Sequence, residues 1–132
     1  MSNDTPPPLP APRPWLIAGD WQSRALLLAE LQERGIEMRA EAGMRWATHA
    51  LIHERLAPPL ILLVTHRDPE ATPERLAGLL AILAEDGSTP ELVLLVGAYD
   101  RVTWDEAFGD RAFILFRPAA IGEVAKVVQR SL

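Results

Sequence analysis

Short apolar runs alternate with longer segments of helical period five times along this chain, and that alternation limits the fold more than any other feature. The clearest run is LILLV, residues 60–64, which would present no polar side chain on either face of a β-strand. Strands that are apolar on both faces are typical of parallel sheets covered by helices on both sides. The repeated alternation therefore predicts β-α-β units that share one parallel sheet.

Helix-end signals divide the chain into predicted elements. Asp20 is placed to cap the first helix and Gly35 to end it, whereas Thr72 followed by Pro73 is typical of a helix start. Strands are predicted at residues 15–19, 36–42, 60–64, 91–97 and 112–116. Helices are predicted at residues 21–34, 44–57, 73–85, 103–108 and 121–132. The second helix is expected to stop before Pro58, because proline cannot continue a helix.

Five parallel strands with helices on both faces predict a doubly wound α/β sandwich of flavodoxin-like type, with strand order 2-1-3-4-5. Residues 15–132 would form this single domain, which is long enough to bury one hydrophobic core. Ligands of such folds bind where loops leave the carboxyl ends of the strands. A functional site is therefore expected among residues 18–23, 64–71, 97–103 and 117–120.

The first fourteen residues, MSNDTPPPLPAPRP, contain six prolines and no apolar periodicity. This composition favours an extended, polyproline-like segment and predicts a disordered tail over residues 1–14. A proline-rich segment of this kind also suits an aromatic-lined groove.

Composition argues against several classes of function. A net charge of −5 without a clustered Lys/Arg face argues against nucleic acid as a partner. No apolar run approaches the roughly 18 residues that a membrane span requires, so no membrane partner is expected. The absence of cysteine excludes a disulfide framework and a cysteine nucleophile, and it fits a reducing compartment, so a cytoplasmic location is predicted.

Three stretches carry a resemblance to a known family. They are PWLIAGDWQSRALLLAELQERGIEMRAEAG at residues 14–43, ELVLLVGAYD at 91–100 and FRPAAIGEVAKVVQRSL at 116–132. In this order and at these intervals they resemble the receiver domains of bacterial two-component response regulators, over nearly the whole chain outside the tail. The resemblance implies a signalling domain that holds Mg²⁺ with an acidic pair, accepts a phosphoryl group on an aspartate, and senses it with a Thr or Ser and a Lys.

The resemblance also places these functions on residues that do not suit them. The corresponding positions are Gly19 and Asp20 (or Ala18 and Gly19) for the acidic pair, Val64 for the phosphoacceptor, Gly97 for the Thr or Ser, and Arg117 followed by Pro118 for the Lys-Pro pair. A valine has no oxygen to accept a phosphoryl group, and one remaining carboxylate should not hold Mg²⁺ usefully. The fork of Arg117 is not equivalent to an ammonium group, and we expect it to pair with Asp20 or Asp68 or to point to solvent.

What the resemblance implies is therefore a degenerate receiver without phosphotransfer, a non-catalytic module with no cofactor that acts through a protein partner. Receivers use the face of the fourth helix, fifth strand and fifth helix for dimers and outputs, so a homodimer through that face is one expected arrangement. The residues predicted on or near it are Ile114, Phe116, Ile121 and Val124.

Other interpretations stay open at this point. Thr65, His66 and Asp68 at the carboxyl edge would suit a small-ligand-binding or enzymatic flavodoxin-like domain. Asp20 and Asp68 could instead rebuild a displaced acidic site and keep a phospho-switch. The chain could also be a piece of a longer regulator, since the last predicted helix runs to its final residue.

Two histidines, His49 and His53, stand four residues apart in the second predicted helix, a spacing that zinc sites use. No third ligand is expected to converge on them, so no metal site is predicted. Trp46 and Trp104 are expected to pack in the core or at its edge, and Trp21 is expected to cover the empty pocket.

Overall fold

A computed structural model describes residues 12–132, so the first eleven residues of the predicted tail lie outside the described part of the chain. Of the three tail residues that are described, Pro12 and Arg13 are exposed, whereas Pro14 is buried. The Pro14 carbonyl accepts a hydrogen bond from the backbone N–H of Arg39 at 2.9 Å. Pro14, one residue before the predicted first strand, therefore already bonds to the neighbouring strand segment.

One parallel sheet of five strands, in the order β2-β1-β3-β4-β5, runs through the described residues and confirms the predicted flavodoxin-like topology. The strands are β1 (Trp15–Ala18), β2 (Arg39–Glu41), β3 (Leu60–Val64), β4 (Glu91–Val96) and β5 (Ala112–Phe116). The helices are α1 (Trp21–Glu33), α2 (Met44–His53), α3 (Pro73–Glu85), α4 (Arg101–Phe108) and α5 (Ile121–Ser131). None of these helices is both long enough and apolar enough to cross a membrane.

The sheet separates two hydrophobic clusters, one on each face. In β1, Trp15 and Ile17 pack on the side of α2, α3 and α4, whereas Leu16 and Ala18 pack on the side of α1 and α5. Alternate side chains of a strand point to opposite faces, so each face of β1 meets a helical layer. All of β3 is fully buried, which confirms the prediction of a central strand that is covered on both sides.

The predicted helix-end signals are confirmed. Asp20 accepts a hydrogen bond from the N–H of Ser23 at the start of α1, and Thr72 accepts one from the N–H of Arg75 at the start of α3. Gly35 follows the last turn of α1 with φ at 77°. This left-handed conformation favours glycine, because other residues pay a steric cost at their Cβ.

Three elements have a bound that differs from the prediction by two residues or more. α2 ends at His53 and not at residue 57, because the backbone of Glu54 is extended. The carboxylate of Glu54 binds the guanidinium of Arg39. β2 is three residues long and not seven, because β1 pairs only with Arg39 to Glu41. α4 begins two residues early, at Arg101, and a short 3₁₀ turn precedes it.

The tryptophans correct a further expectation. Trp104 is buried as predicted, but Trp46 lies on the outer side of α2 and is 51% exposed. Trp21, which was expected to cover a pocket, is 68% exposed. The residues of α2 that face the sheet are Met44, Ala47 and Ala50, and Trp46 lies outside this stripe, about 100° around the helix from its centre.

Candidate functional site

The carboxyl ends of β1 and β3 lie side by side, and their last residues, Ala18 and Val64, are register partners. Val64 is fully buried and packs in the cluster beneath α1 and α5. The next residue, Thr65, is half-buried, and its N–H donates to the carbonyl of Leu95 at 3.1 Å. Neither of the two residues at the end of β3 therefore provides a carboxylate.

Asp20 follows the end of β1 closely, and its carboxylate is bound to its own helix. Its Oδ2 accepts the N–H of Ser23 at 3.2 Å and the hydroxyl of Ser23 at 2.6 Å. The Ser23 hydroxyl bond is the largest cause that lowers the pKa of Asp20; burial opposes it, and the Ser23 amide, Arg67 and His66 lower it further. Asp20 is thus a nearly buried helix cap that favours its charged form.

Asp68 caps a different helix from a distance. Its Oδ2 accepts the backbone N–H of Met44, the first residue of α2, at 2.7 Å, and its Oδ1 accepts the N–H of Glu70 at 3.2 Å. The residue before α2 is Gly43, which has no side chain to cap the helix. Asp68 therefore supplies the cap that α2 lacks, and both of its oxygens are occupied.

Two glycines make room for this carboxylate. A Cβ added at Gly19 would lie 3.0 Å from the Cβ of Asp68, and one at Gly43 would lie 3.1 Å from its Oδ2. Gly43 also has φ at 132°, a conformation that side chains other than hydrogen rarely adopt. The Asp68 side chain thus occupies the space beside Gly19, the position to which the receiver resemblance assigns an acidic residue.

The contact of Asp68 with α2 was not predicted: the sequence suggested only an ion pair, a ligand-binding role or a displaced acidic site for this residue. One sequence signal was available: α2 begins after a glycine, so its first N–H groups have no local side-chain acceptor. That signal indicates an acceptor elsewhere in the chain but does not identify it.

The other end of the site contains Gly97 and Arg117. The carbonyl of Gly97 accepts the N–H of Asp100 at 3.0 Å, and the N–H of Arg117 donates to the carbonyl of Val96 at 2.9 Å. The peptide bond between Arg117 and Pro118 is cis. These residues follow β4 and β5, so they lie at the same edge of the sheet as Asp20 and Val64.

The expected ion pair of Arg117 with Asp20 or Asp68 does not form. Both carboxylates bind hydroxyl or backbone donors, and the Nη1 of Arg117 is buried without a hydrogen-bond partner among residues 12–132. The structure meets neither alternative in full: both carboxylates cap helices, a role that residue spacing alone did not reveal for Asp68, and the buried Nη1 of Arg117 does not point to solvent.

Only part of the predicted interaction face is exposed to solvent. Val124 is fully buried in the cluster beneath α5, so its assignment to a contact face is wrong. It shares the sheet-facing stripe of α5 with Ala125, Val127 and Val128. Ile121 is half-buried, and Ile114 packs against the core on the other side of the sheet.

Phe116, the fourth residue of that face, is covered by a charged neighbour. The guanidinium carbon of Arg101 lies 4.4 Å from the centre of its ring, within the range of a cation–π contact. The strongly exposed apolar side chains in this part of the molecule are instead Tyr99, Val102 and Phe113.

The three residues of the enzymatic alternative do not form a catalytic pair. The hydroxyl of Thr65 lies 3.4 Å from the carbonyl of Leu95, and Asp68 binds backbone amides. No side-chain hydrogen bond joins Thr65, His66 and Asp68 within the described part of the chain.

The histidines of α2 lie next to each other without a third ligand. The ring centres of His49 and His53 are 4.5 Å apart. Residues 12–132 contain no group of three His, Cys, Asp or Glu side chains that could hold a metal ion.

No protein-family model matches this sequence, and no curated protein is significantly similar to it. Solved structures are similar in fold. An adenylate cyclase from Rhodopirellula baltica superposes with a TM-score of 0.74 over 90% of this chain and 85% of that chain, at 16% identity.

Two further solved structures are receivers. The receiver domain of NtrX from Brucella abortus has a TM-score of 0.65 over 89% of this chain and 96% of that chain, at 19% identity. A response regulator receiver protein from Pseudomonas putida has a TM-score of 0.68 over 91% of this chain and 98% of that chain, at 18% identity. The chain therefore has the fold of response regulator receiver domains.

Proposed function

We propose that this receiver-fold chain is a non-catalytic signalling module that acts by protein-protein contact and without phosphorylation. The proposal depends on two side chains at the carboxyl ends of the strands. Val64 is buried in the core, and Asp68 occupies the space beside Gly19. A fold of this kind without a cysteine fits a cytoplasmic signalling protein.

The poor set of Mg²⁺ ligands at this edge supports the proposal. Mg²⁺ requires near-octahedral oxygen ligands and is usually held by one or two carboxylates together with phosphate and waters. Asp20 keeps its carboxylate at the edge but already accepts two hydrogen bonds from Ser23. Gly19 contributes no ligand. The remaining donor set is therefore too poor for a useful magnesium site.

A displaced phosphosite on Asp68 is disfavoured by the same contacts. A carboxylate that accepts a phosphoryl group must present a free oxygen to the donor. Both oxygens of Asp68 face backbone N–H groups, and turning one outward would leave the first turn of α2 without its cap. Phosphorylation there would therefore compete with the stability of the helix.

The surface we assign to partner contact includes Tyr99, Val102 and Phe113, on the 3₁₀ turn, α4 and β5. Exposed apolar side chains of this size favour protein contact over solvent. A homodimer through this side of the molecule is the simplest arrangement. Analytical ultracentrifugation of Val102→Ser tests it, with Ile52→Ser as the matched control, since Val102 is 66% exposed and Ile52, on α2, is 70% exposed.

Phosphorylation independence is tested by titrating the full chain with Mg²⁺ and beryllofluoride, a mimic of an acyl phosphate. Backbone amide shifts and the fluorescence of Trp21 report binding at the edge. The proposal predicts no saturable change at Asp20, Val64 or Arg117 in a folded sample. Saturable shifts that disappear in Asp20→Asn or Asp68→Asn would establish a phospho-switch with a rebuilt acidic site.

A second candidate function is small-ligand binding at the same edge. An open depression of about 340 Å³ lies between the loop after β3 and α4, and the hydroxyls of Thr65, Thr72 and Thr103 line it together with Asp100. Polar groups that converge on a concave site are typical of ligand binding. Amide shifts confined to these residues in a screen of small polar metabolites would favour this function over protein contact.

A further inference from the structure

The two edge strands of the sheet differ in how well they are protected against pairing with another chain. β2, at one edge, is three residues long and contains Arg39 and Glu41, whose side chains form an ion pair. β5, at the other edge, is five residues long, and its sequence AFILF contains no charged residue, proline or glycine. Short length and charged side chains are common means by which edge strands avoid such pairing. β5 therefore lacks the protection that β2 has.

The backbone groups of β5 are divided between β4 and the open edge. The N–H of Arg117 donates to the carbonyl of Val96, so the backbone groups of Arg117 face β4. Successive residues of a strand direct their N–H and carbonyl groups to opposite sides. The groups of Ala112, Ile114 and Phe116 therefore point away from β4, and no other strand of residues 12–132 lies on that side.

The side chains leave this edge uncovered. Every residue of β5 is half-buried or exposed, whereas every residue of β3 is buried. Phe113 is the most exposed of them, at 54%. Its register partner Val93 packs in the cluster beneath α5, so Phe113 lies on the same face of the sheet. α5 covers β3 and β4, and Phe113 lies beyond them.

We propose that β5 pairs antiparallel with β5 of a second copy of the chain, so that the two five-stranded sheets become continuous. A two-fold axis between identical strands satisfies the free N–H and carbonyl groups of both copies with each other. The inference names the contact of the homodimer suggested above and rests on that part of the proposed function.

Charge and proline chemistry disfavour two registers of this pairing. A register centred on Ile114 pairs the whole strand, but it places Arg111 opposite Arg117 of the second copy. Like charges directly opposite each other are destabilising. A register centred on Leu115 brings Pro118 into the pairing, and proline has no N–H to donate.

A register centred on Phe113 avoids both problems. Phe113 then lies opposite Phe113 of the second copy as a non-hydrogen-bonded pair, with Cα atoms about 4.5 Å apart, so the two exposed rings cover each other. Asp110 lies opposite Phe116 of the second copy, whose ring carries the guanidinium of Arg101. Aromatic contact and charge therefore favour the same register.

Amide hydrogen exchange of the full chain at increasing protein concentration tests the pairing. In this register the N–H groups of Ala112 and Ile114 bond to the second copy, and we expect their exchange to slow as the concentration rises. The N–H groups of Phe113 and Leu115 face β4 and serve as the control within the same strand, because their protection should not depend on the dimer. Exchange at Ala112 and Ile114 that does not depend on concentration would overturn the proposal.

A charge exchange at position 113 tests the register by analytical ultracentrifugation. Phe113→Lys and Phe113→Glu each place like charges opposite each other, so each should weaken dimerisation about tenfold or more. An equimolar mixture of the two variants should restore the dimer, because the opposite charges then pair. Ile52→Lys and Ile52→Glu are the matched controls, since Ile52 is exposed on α2, and each should dimerise like the unsubstituted chain.

Failure of this inference differs from failure of the proposed function. A dimer that Val102→Ser abolishes and both Phe113 variants retain would overturn strand pairing and leave the proposed surface in place. A mixture of the Phe113 variants that stays monomeric would overturn the assigned register. An unsubstituted chain that stays monomeric at every concentration would overturn the pairing, whereas the beryllofluoride titration would still decide whether the protein acts without phosphorylation.

Discussion

The N-termini of α1 and α2 meet the same physical requirement in different ways. Each presents backbone N–H groups that no helical carbonyl can satisfy. α1 is capped by Asp20, the residue directly before it, whereas α2 follows Gly43 and is capped by Asp68, which is 24 residues beyond Met44. The first cap is local and the second is tertiary. The tertiary cap joins two loops and a helix, so its loss should destabilise more than one element.

This difference also connects stability with the proposed function. Asp20 and Asp68 are the two carboxylates that could supply an acidic site at this edge, and both are hydrogen-bonded to groups of the protein itself. On the proposal made above, a receiver-like acidic pocket has been converted into structural support for two helices.

The largest effect is expected for Gly43→Ala. Its φ of 132° is accessible almost only to glycine, and the added Cβ would also meet Asp68 Oδ2 at 3.1 Å, so we expect a loss of about 3 kcal/mol of unfolding free energy. Urea denaturation followed by circular dichroism measures it. Gly78→Ala is the matched control, because Gly78 is an exposed glycine inside α3 with open space around it and should gain about 0.5–1 kcal/mol. Equal effects at both positions would contradict the role of Gly43.

Asp68→Ala should have the next largest effect. It removes the acceptor for the Met44 N–H and leaves the first turn of α2 uncapped, at a cost of about 1–2 kcal/mol. Hydrogen exchange should accelerate in the first turn of α2 and not in α1. Asp68→Asn retains an acceptor oxygen and should cost less. A loss of protection in α1 of the same size would mean that Asp68 is not a specific cap of α2.

The packing of Asp68 against Gly19 predicts a coupling between the two positions. Gly19→Ala places a Cβ 3.0 Å from that of Asp68, which must move to relieve the overlap. In a double-mutant cycle with Asp68→Gly, which also removes the Cβ of residue 68, the combined loss should be smaller than the sum by about 1 kcal/mol. Strict additivity would show that the two side chains do not share the space.

The smallest effect concerns the pH dependence that Asp20 contributes. Its pKa in the folded protein lies below the ordinary value of 3.8, so its contribution is present above that pH and is lost as the pH falls through the lower folded value. Thermal unfolding across the acid range should therefore show a flatter pH dependence below about pH 4 in Asp20→Asn than in the unsubstituted chain. Identical profiles would mean that the Ser23 bond does not favour the charged form.

Much of the fold could be predicted because its signals are local. The apolar run of β3, the Thr72-Pro73 start of α3 and Gly35 after α1 each report backbone geometry through residues adjacent in sequence. The end of α2 at His53 was not predicted in this way, because no residue type adjacent to Glu54 indicates that its backbone is extended.

The features of the candidate site also fall into two groups, those that the sequence predicts and those that it does not. The absence of a carboxylate at Val64 and the presence of one at Asp20 are properties of residue identity, and sequence alone provides them. The binding of Asp68 to Met44, the burial of Val124 and the contact of Arg101 with Phe116 depend on which elements become neighbours in space. Side-chain periodicity indicates a face but not what covers it.

By itself, the sequence determined the parallel sheet, the order of its elements and the residue types at the carboxyl edge, because periodicity and helix-end chemistry act over a few residues. The tertiary structure alone decided where the carboxylate of Asp68 lies and which side chains remain exposed on α2. Those outcomes depend on which loops and helices become neighbours in the fold. The physical reason is that a hydrogen-bond acceptor can bind any donor that lies close enough, and the fold determines which donors lie close to it.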